Sequence, residues 1–361
     1  MLPYLVIFFL STVFFYLSSR YEGKWQYVFL LLAILFPSLL AGLRDLTVGR
    51  DLDNYVISVW EQVVKSEEIE ELLLINVLDK VEVAYILINY LISLFTDDIQ
   101  WFLFVYQLII MMLLGVIFLK LKKYGNAHFF MLFYFLYYYC ECLSMLRQSI
   151  AIVLGVLAVI YLLERKIASY YVICTIAFFL HTSGFILFVI HPLIIIIREY
   201  GADRMTGTVL LCLTVLVLLL LFKPVVNYLV DQGLIMEKFN EYTIQEDMRV
   251  HKMDLLFLGS AFMFMLLLFD EYSEMALILY YFLLIAIMLT LFGEVTEIAI
   301  RMAFYFIAPV LMMIPLLRND SIEHELLLYL TFVMAFVYFF YQAITTSFAD
   351  TIPYSSSLLG L

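Results

Sequence analysis

The sequence predicts an all-α polytopic membrane protein, and three observations carry that expectation. Of the 361 residues, 65% are hydrophobic and only 14% charged, with a mean hydropathy of +1.02, well outside the soluble globular range. Apolar runs recur from end to end, several near the roughly 20 residues a helix needs to cross about 30 Å of hydrocarbon. Each run must satisfy its own backbone polarity in lipid, which leaves helices as the natural solution. The expected architecture is a single integral domain spanning 1–361, built from about 11 to 13 transmembrane or half-membrane helices.

The runs fall at 2–19, 25–43, 81–95, 99–119, 127–143, 149–163, 168–182, 184–197, 207–222, 254–269, 275–292, 299–317 and 325–344. The first lacks a basic n-region and a small-x-small cleavage site before Arg20, so it is expected to stay as the first spanning helix. Between Asn54 and Lys80, Val56, Val59, Trp60, Val63 and Val64 recur at helical spacing beside Ser58, Glu61, Gln62 and Lys65; this is an amphipathic helix on the membrane surface, followed by the acidic run 67–71. The stretch 168–197 is interrupted only at His181-Thr-Ser-Gly184 and reads as two short helices broken there.

Lys and Arg in short connections set the orientation. Lys120, Lys122, Lys123, Arg165, Lys166, Arg198, Arg204 and Arg318 belong on the cytoplasmic side. Residues 44–80, 144–148, 223–252, 293–297, the tip near His181 and the C-terminal tail then face outward. A complete crossing by 81–95 would reverse Lys120 to Lys123, so either that short segment is re-entrant or interfacial or another of the spans is misplaced.

Net charge is −12, and its distribution across the bilayer matters more than its sum; it does not suit nucleic acid. Cys140, Cys142, Cys174 and Cys212 lie inside apolar runs without the paired spacing of a zinc site or disulfide framework. No two histidines share metal-ligand spacing, so no metal or other cofactor is expected.

Chemistry concentrates after the second run, where Arg44, Asp45, Arg50, Asp51 and Asp53 fall within ten residues. With Arg147 and Arg301 this makes four arginines, Arg44, Arg50, Arg147 and Arg301, at outward helix ends. A charge at bilayer depth costs about 2.5–3.5 kcal/mol on insertion scales, so each needs water or a partner. Guanidinium groups bind phosphate oxygens bidentately and stay charged, so a converging set suits a diphosphate; the alternative is that they snorkel or pair with Asp45, Asp51, Glu294 and Glu297. Gln148 follows Arg147 directly. His181, beside two hydroxyls at a helix break, suits ligand donation or proton transfer. Glu82 and Glu141 sit at or within apolar runs, where a carboxylate is costly unless used or paired. Carboxylates here suit either general-base work on a sugar hydroxyl or sugar recognition.

In order along the chain, Gly42-Leu-Arg44, Val48-Gly-x-Asp51-x-x-x-Tyr55, Glu82, Leu146-Arg147-Gln148-x-Ile150-Ala151, His181-x-Ser183, Arg301-x-x-x-Tyr305-Phe306 and Ile352-Pro-Tyr354 resemble the EpsG family of Wzy-type polysaccharide polymerases. Arg50 departs from the small residue expected between Gly49 and Asp51. The resemblance implies a GT-C-like glycosyltransferase of the bacterial cytoplasmic membrane, working on its outer face in exopolysaccharide, capsule or O-antigen synthesis. It further implies that undecaprenyl-diphosphate-linked oligosaccharides are both donor and acceptor, with no metal or nucleotide sugar, and that a flippase and a chain-length regulator act in the same pathway. On that reading Arg44, Arg147 and Arg301 stabilise the leaving diphosphate, and His181 and Asp51 are candidate bases in an inverting displacement. Arg50, Tyr55, Glu82, Gln148 and Tyr305 contribute to the substrate site. A flippase for the same lipid-linked sugar, an O-antigen ligase-type transferase and a non-enzymatic export subunit remain alternatives.

Overall fold

The computed structural model describes residues 1–66, 70–72, 81–124, 126–200, 206–211, single positions between 213 and 228, 252–268, 274–293, 297–313 and 322–361. No strand occurs among them, and seven helices are long and apolar enough to cross a membrane. The protein is an all-α polytopic membrane protein. Nearly all of the expected connection 223–252, half of the run 207–222, and parts of the acidic run 67–71 lie outside the described residues.

Contacts divide the chain into two compact units. The first comprises 1–185, 311–318 and 335–361; the second comprises 186–310 and 319–334. In the first unit, α1 (Leu2–Arg20) and α2 (Lys24–Gly42) form an antiparallel hairpin. A short loop leads into a π-turn (Leu52–Val56) continuous with α3 (Ile57–Lys65). Then come α4 (Val83–Ser93) and α5 (Ile99–Leu121), which packs on α2 so closely that a Cβ on Gly42 would lie 2.5 Å from Phe104 Cβ.

The next crossing is one continuous helical path: α6 (Ala127–Phe133), a π-segment (Tyr134–Tyr138) and α7 (Tyr139–Ser144). After Met145 alone, α8 (Leu146–Leu163) returns, the most enclosed of the long helices, and α9 (Ile167–Leu180) pairs with it. A 3-10 turn (Thr182–Phe185) follows at the expected break. The aromatic segment 129–139 is bundle core: Phe8 stacks on Phe135 at 5.0 Å and Tyr137 on Tyr338 at 4.7 Å.

Two ends of this unit can be told apart by contacts. Lys122 Nζ donates to Gln26 Oε1 at 3.2 Å and Lys120 Nζ pairs with Glu164 at 3.2 Å, so the starts of α2 and the ends of α5 and α8 share one end. At the other end Trp60 Nε1 donates to the Asp97 carbonyl at 3.2 Å. The 11 residues of α4 reach only about 16 Å, half of a crossing. That length suits the re-entrant or interfacial alternative for 81–95. The apolar stripe of α3 is used against protein: Val59, Trp60 and Val63 are buried and Trp60 stacks on Phe102 at 4.8 Å.

The second unit holds α10 (Ile186–Tyr200), α11 (Lys252–Leu268), α12 (Glu274–Phe292), α13 (Glu297–Met313, up to Val310) and the first half of α14 (Ile322–Thr345). Arg198 of α10 pairs with Glu274 of α12 at 2.5 Å, which ties those helix ends together. The last half of α14, a short turn α15 (Ser347–Asp350) and the tail belong to the first unit.

One boundary corrects the sequence reading. Residues 144–148 were expected as a connection, yet α8 starts at Leu146. Arg147 and Gln148 occupy its first turn because Arg and Gln are good helix formers and end no helix by themselves.

Candidate functional site

Arg147 is the centre of the cluster at the Trp60 end of the first unit. A cation in the first turn of a helix meets the positive end of the helix dipole, an unfavourable position without compensation. Compensation comes from Glu82, which caps the entry to α4: Arg147 Nη1 meets Glu82 Oε2 at 2.5 Å, with side-chain exposures of 20% and 12%. The guanidinium also lies over the Tyr55 ring, 4.1 Å from its centroid, a cation–π arrangement.

Tyr55 is supplied by the π-turn. Its hydroxyl donates to Asp51 Oδ2 at 2.7 Å, a pair four residues apart. Burial and the neighbouring Asp51 carboxylate raise the Tyr55 hydroxyl well above its ordinary range, so it stays a donor at neutral pH. Its ring meets Tyr85 edge-on at 6.0 Å. Tyr85 lies three residues after Glu82, one helical turn along α4, which puts both on one face.

Glu82 joins a third element. Its Oε1 accepts from the Thr182 backbone N–H at 3.2 Å, at the turn that ends α9. Within that turn His181 Nδ1 and Ser183 Oγ are 2.6 Å apart. The turn is tight: a Cβ on Gly184 would lie 2.8 Å from the Ala177 backbone. Burial pushes the Glu82 carboxyl up, but the fields of Arg147 and His181 and the Thr182 hydrogen bond outweigh it and hold the group below the usual carboxylate range. Asp51, Tyr55, Glu82, Arg147, His181 and Ser183 are thus linked through contacts, although they come from four separate stretches of sequence.

Arg44 takes a different place. It is 1% exposed, and its Nη1 donates to the Leu143 carbonyl at 2.9 Å, joining the loop after α2 to the end of α7. Gly49 lies against that same carbonyl with φ +114°, where a Cβ would come within 2.7 Å of Leu143 O, so only glycine fits. Arg50 is exposed, its Nε paired with Asp350 Oδ2 at 3.2 Å and its backbone N–H donating to Ser144 Oγ. Gln148 is buried in the first turn of α8. Arg301, half-buried, and Tyr305, buried, lie four residues apart on α13 in the second unit.

Three participants were missed from sequence. Tyr85 was legible in the register of α4 after Glu82. Thr182 lay inside the recognised break but was not singled out. Asp350, some 300 positions from Arg50, carries no local signal.

Among the described residues, no group of three or more His, Cys, Asp or Glu side chains is arranged to hold a metal ion. What the arrangement offers is fixed positive charge on a helix start, flanked by a carboxylate, a phenol and an imidazole. No curated protein and no solved structure matches the chain. The family model described as the EpsG family matches residues 27–356, almost the whole length. The chain belongs to the EpsG family.

Proposed function

We propose that this protein is a polysaccharide polymerase that joins undecaprenyl-diphosphate-linked oligosaccharide repeat units on the outer face of the bacterial cytoplasmic membrane. Membership of the EpsG family supports polysaccharide synthesis in a membrane setting. The single observation that carries the mechanism is Arg147, held between the Tyr55 ring and Glu82 at one end of the bundle.

Transfer of a sugar from a lipid diphosphate breaks the anomeric C–O bond and leaves two phosphates carrying the charge. Arg147 has donors in a fixed fork for those oxygens. Glu82 balances Arg147 before substrate arrives, and Gln148 and Tyr55 shape the site. Asp51 or His181 takes the proton from the acceptor hydroxyl as it attacks, and a single displacement inverts the anomeric carbon. Arg44, buried under the loop, keeps Asp51 in place and acts on the chemistry through it. Arg50, exposed and paired, lies at the rim. No metal or nucleotide sugar enters this scheme.

The described charges of the site gather at one end of the first unit, which favours surface chemistry over translocation by a flippase. Purified protein supplied only with a lipid-linked repeat unit should lengthen it into a ladder of oligomers with inverted linkage. Transfer only to a lipid A core acceptor would make it a ligase, and no lengthening would leave the flippase or scaffold reading.

A further inference from the structure

The end of the chain is bound to the site's loop by a dense set of hydrogen bonds across sequence separations of about 300 residues or more. The Asp45 N–H donates to the Ser355 carbonyl at 3.0 Å and the Gly49 N–H to the Asp350 carbonyl at 2.9 Å. The Ser357 N–H donates to Asp45 Oδ1 at 2.7 Å, which holds that carboxyl below its usual range, and Ser356 Oγ donates to the Leu43 carbonyl at 2.5 Å. Tyr354 OH reaches the Leu40 carbonyl at 3.0 Å, and Tyr4 OH fixes the Thr351 carbonyl at 2.7 Å.

The turn that launches this tail is strained. Ser347, Phe348 and Asp350 have φ of +54°, +45° and +67°, a left-handed region costly for residues with a Cβ, above all for a bulky aromatic. Phe348 is fully buried against Phe339, with ring centroids 5.4 Å apart, so packing maintains the conformation. Strain kept in place by packing beside a loop that carries Arg44, Gly49 and Asp51 has a consequence for that loop: its backbone is held from outside itself.

We infer that residues 347–357 are a positioning brace for the loop 43–52. The brace touches no reacting atom; it fixes the loop so that Asp51 meets Tyr55, and through Tyr55 the Arg147 guanidinium. This rests on the proposed polymerase reading only for its effect on turnover, since the brace itself is a matter of backbone order. The residues that carry it are Asp45, Asp350, Tyr354 and Ser356.

The test uses the full chain in lipid nanodiscs, with Tyr354→Phe, Ser356→Ala and Asp45→Ala made singly, because removal of the whole tail can prevent folding. Amide hydrogen exchange is followed over peptides covering 43–52, with α8 as an internal control. Tyr354→Phe and Ser356→Ala should each speed exchange in 43–52 by roughly fivefold, the ratio that one neutral hydrogen bond supports, Asp45→Ala should speed it more because its bond is charge-assisted, and all three should leave α8 unchanged. Elongation should fall in kcat with little change in KM for the lipid-linked repeat unit. Unchanged exchange in 43–52 across all three variants overturns the brace. Faster exchange with unchanged kcat overturns its positioning role. A wild-type protein that does not elongate defeats the polymerase reading instead, while the exchange result still decides the brace.

Discussion

At the residue scale, the cluster is organised by the problem of placing a cation where a helix dipole disfavours it. Arg147 is tolerated in the first turn of α8 because Glu82 lies against it and Tyr55 covers its face. Removing Glu82 leaves a largely enclosed guanidinium without its counter-ion, a loss on the order of 3 kcal/mol for a buried pair. The carboxyl of Glu82 is depressed in the folded state, so its contribution is present above the ordinary Glu value near 4.3 and fades as pH falls through the lower folded value. Melting of the detergent-solubilised protein followed from pH 7 to pH 3 should show this loss in the wild type. Glu82→Gln should melt lower at pH 7 and lose less across the same range. Equal pH slopes for the two proteins would contradict the pairing.

At the scale of elements, α4 and the break after α9 decide what the bundle presents. The shortness of 81–95 and the conflict with Lys120 to Lys123 were already visible in the sequence, and α4 has only 11 residues. The break at His181 to Gly184 was legible because a glycine and two hydroxyls interrupt an otherwise apolar run. The start of α8 was legible in the motif that opens at Leu146, while the apolar run alone began only at 149, since Arg147 and Gln148 are polar yet good helix formers. The docking of α3 was half legible: its stripe gave the amphipathic face, but only Phe102 and the Asp97 carbonyl show what that face covers. Single cysteines at Asp53 and Asp97 should react with an impermeant thiol reagent from one side of the membrane, and a cysteine at Lys122 from the other. Labelling of positions 97 and 122 from the same side would show that α5 does not cross.

At the scale of the whole molecule, the site residues come from segments separated by tens to hundreds of residues, and this limits what sequence can reveal. Asp51 and Tyr55 could be paired from their spacing of four. The pairing of Glu82 with Arg147, or of Asp350 with Arg50, depends on how helices meet, and no local pattern encodes it. The tail shows the same limit: Pro353 and Tyr354 were noticed as a motif, while the bond of Tyr354 to Leu40 and those of Ser355 and Ser357 to Asp45 became visible only in the fold. The family membership spans both units.

The central claim, that Arg147 receives the diphosphate of the donor, is tested most directly by the chain-length distribution made by purified Arg147→Gln beside the wild type. Both proteins are compared in nanodiscs with a lipid-linked repeat unit as the sole substrate, after α8 is shown by hydrogen exchange to remain folded in the variant. The wild type should give a ladder of oligomers and the variant unextended repeat units, with a rate loss of roughly a hundredfold or more, as for removal of one charge-stabilising donor. A normal ladder from folded Arg147→Gln would contradict the claim.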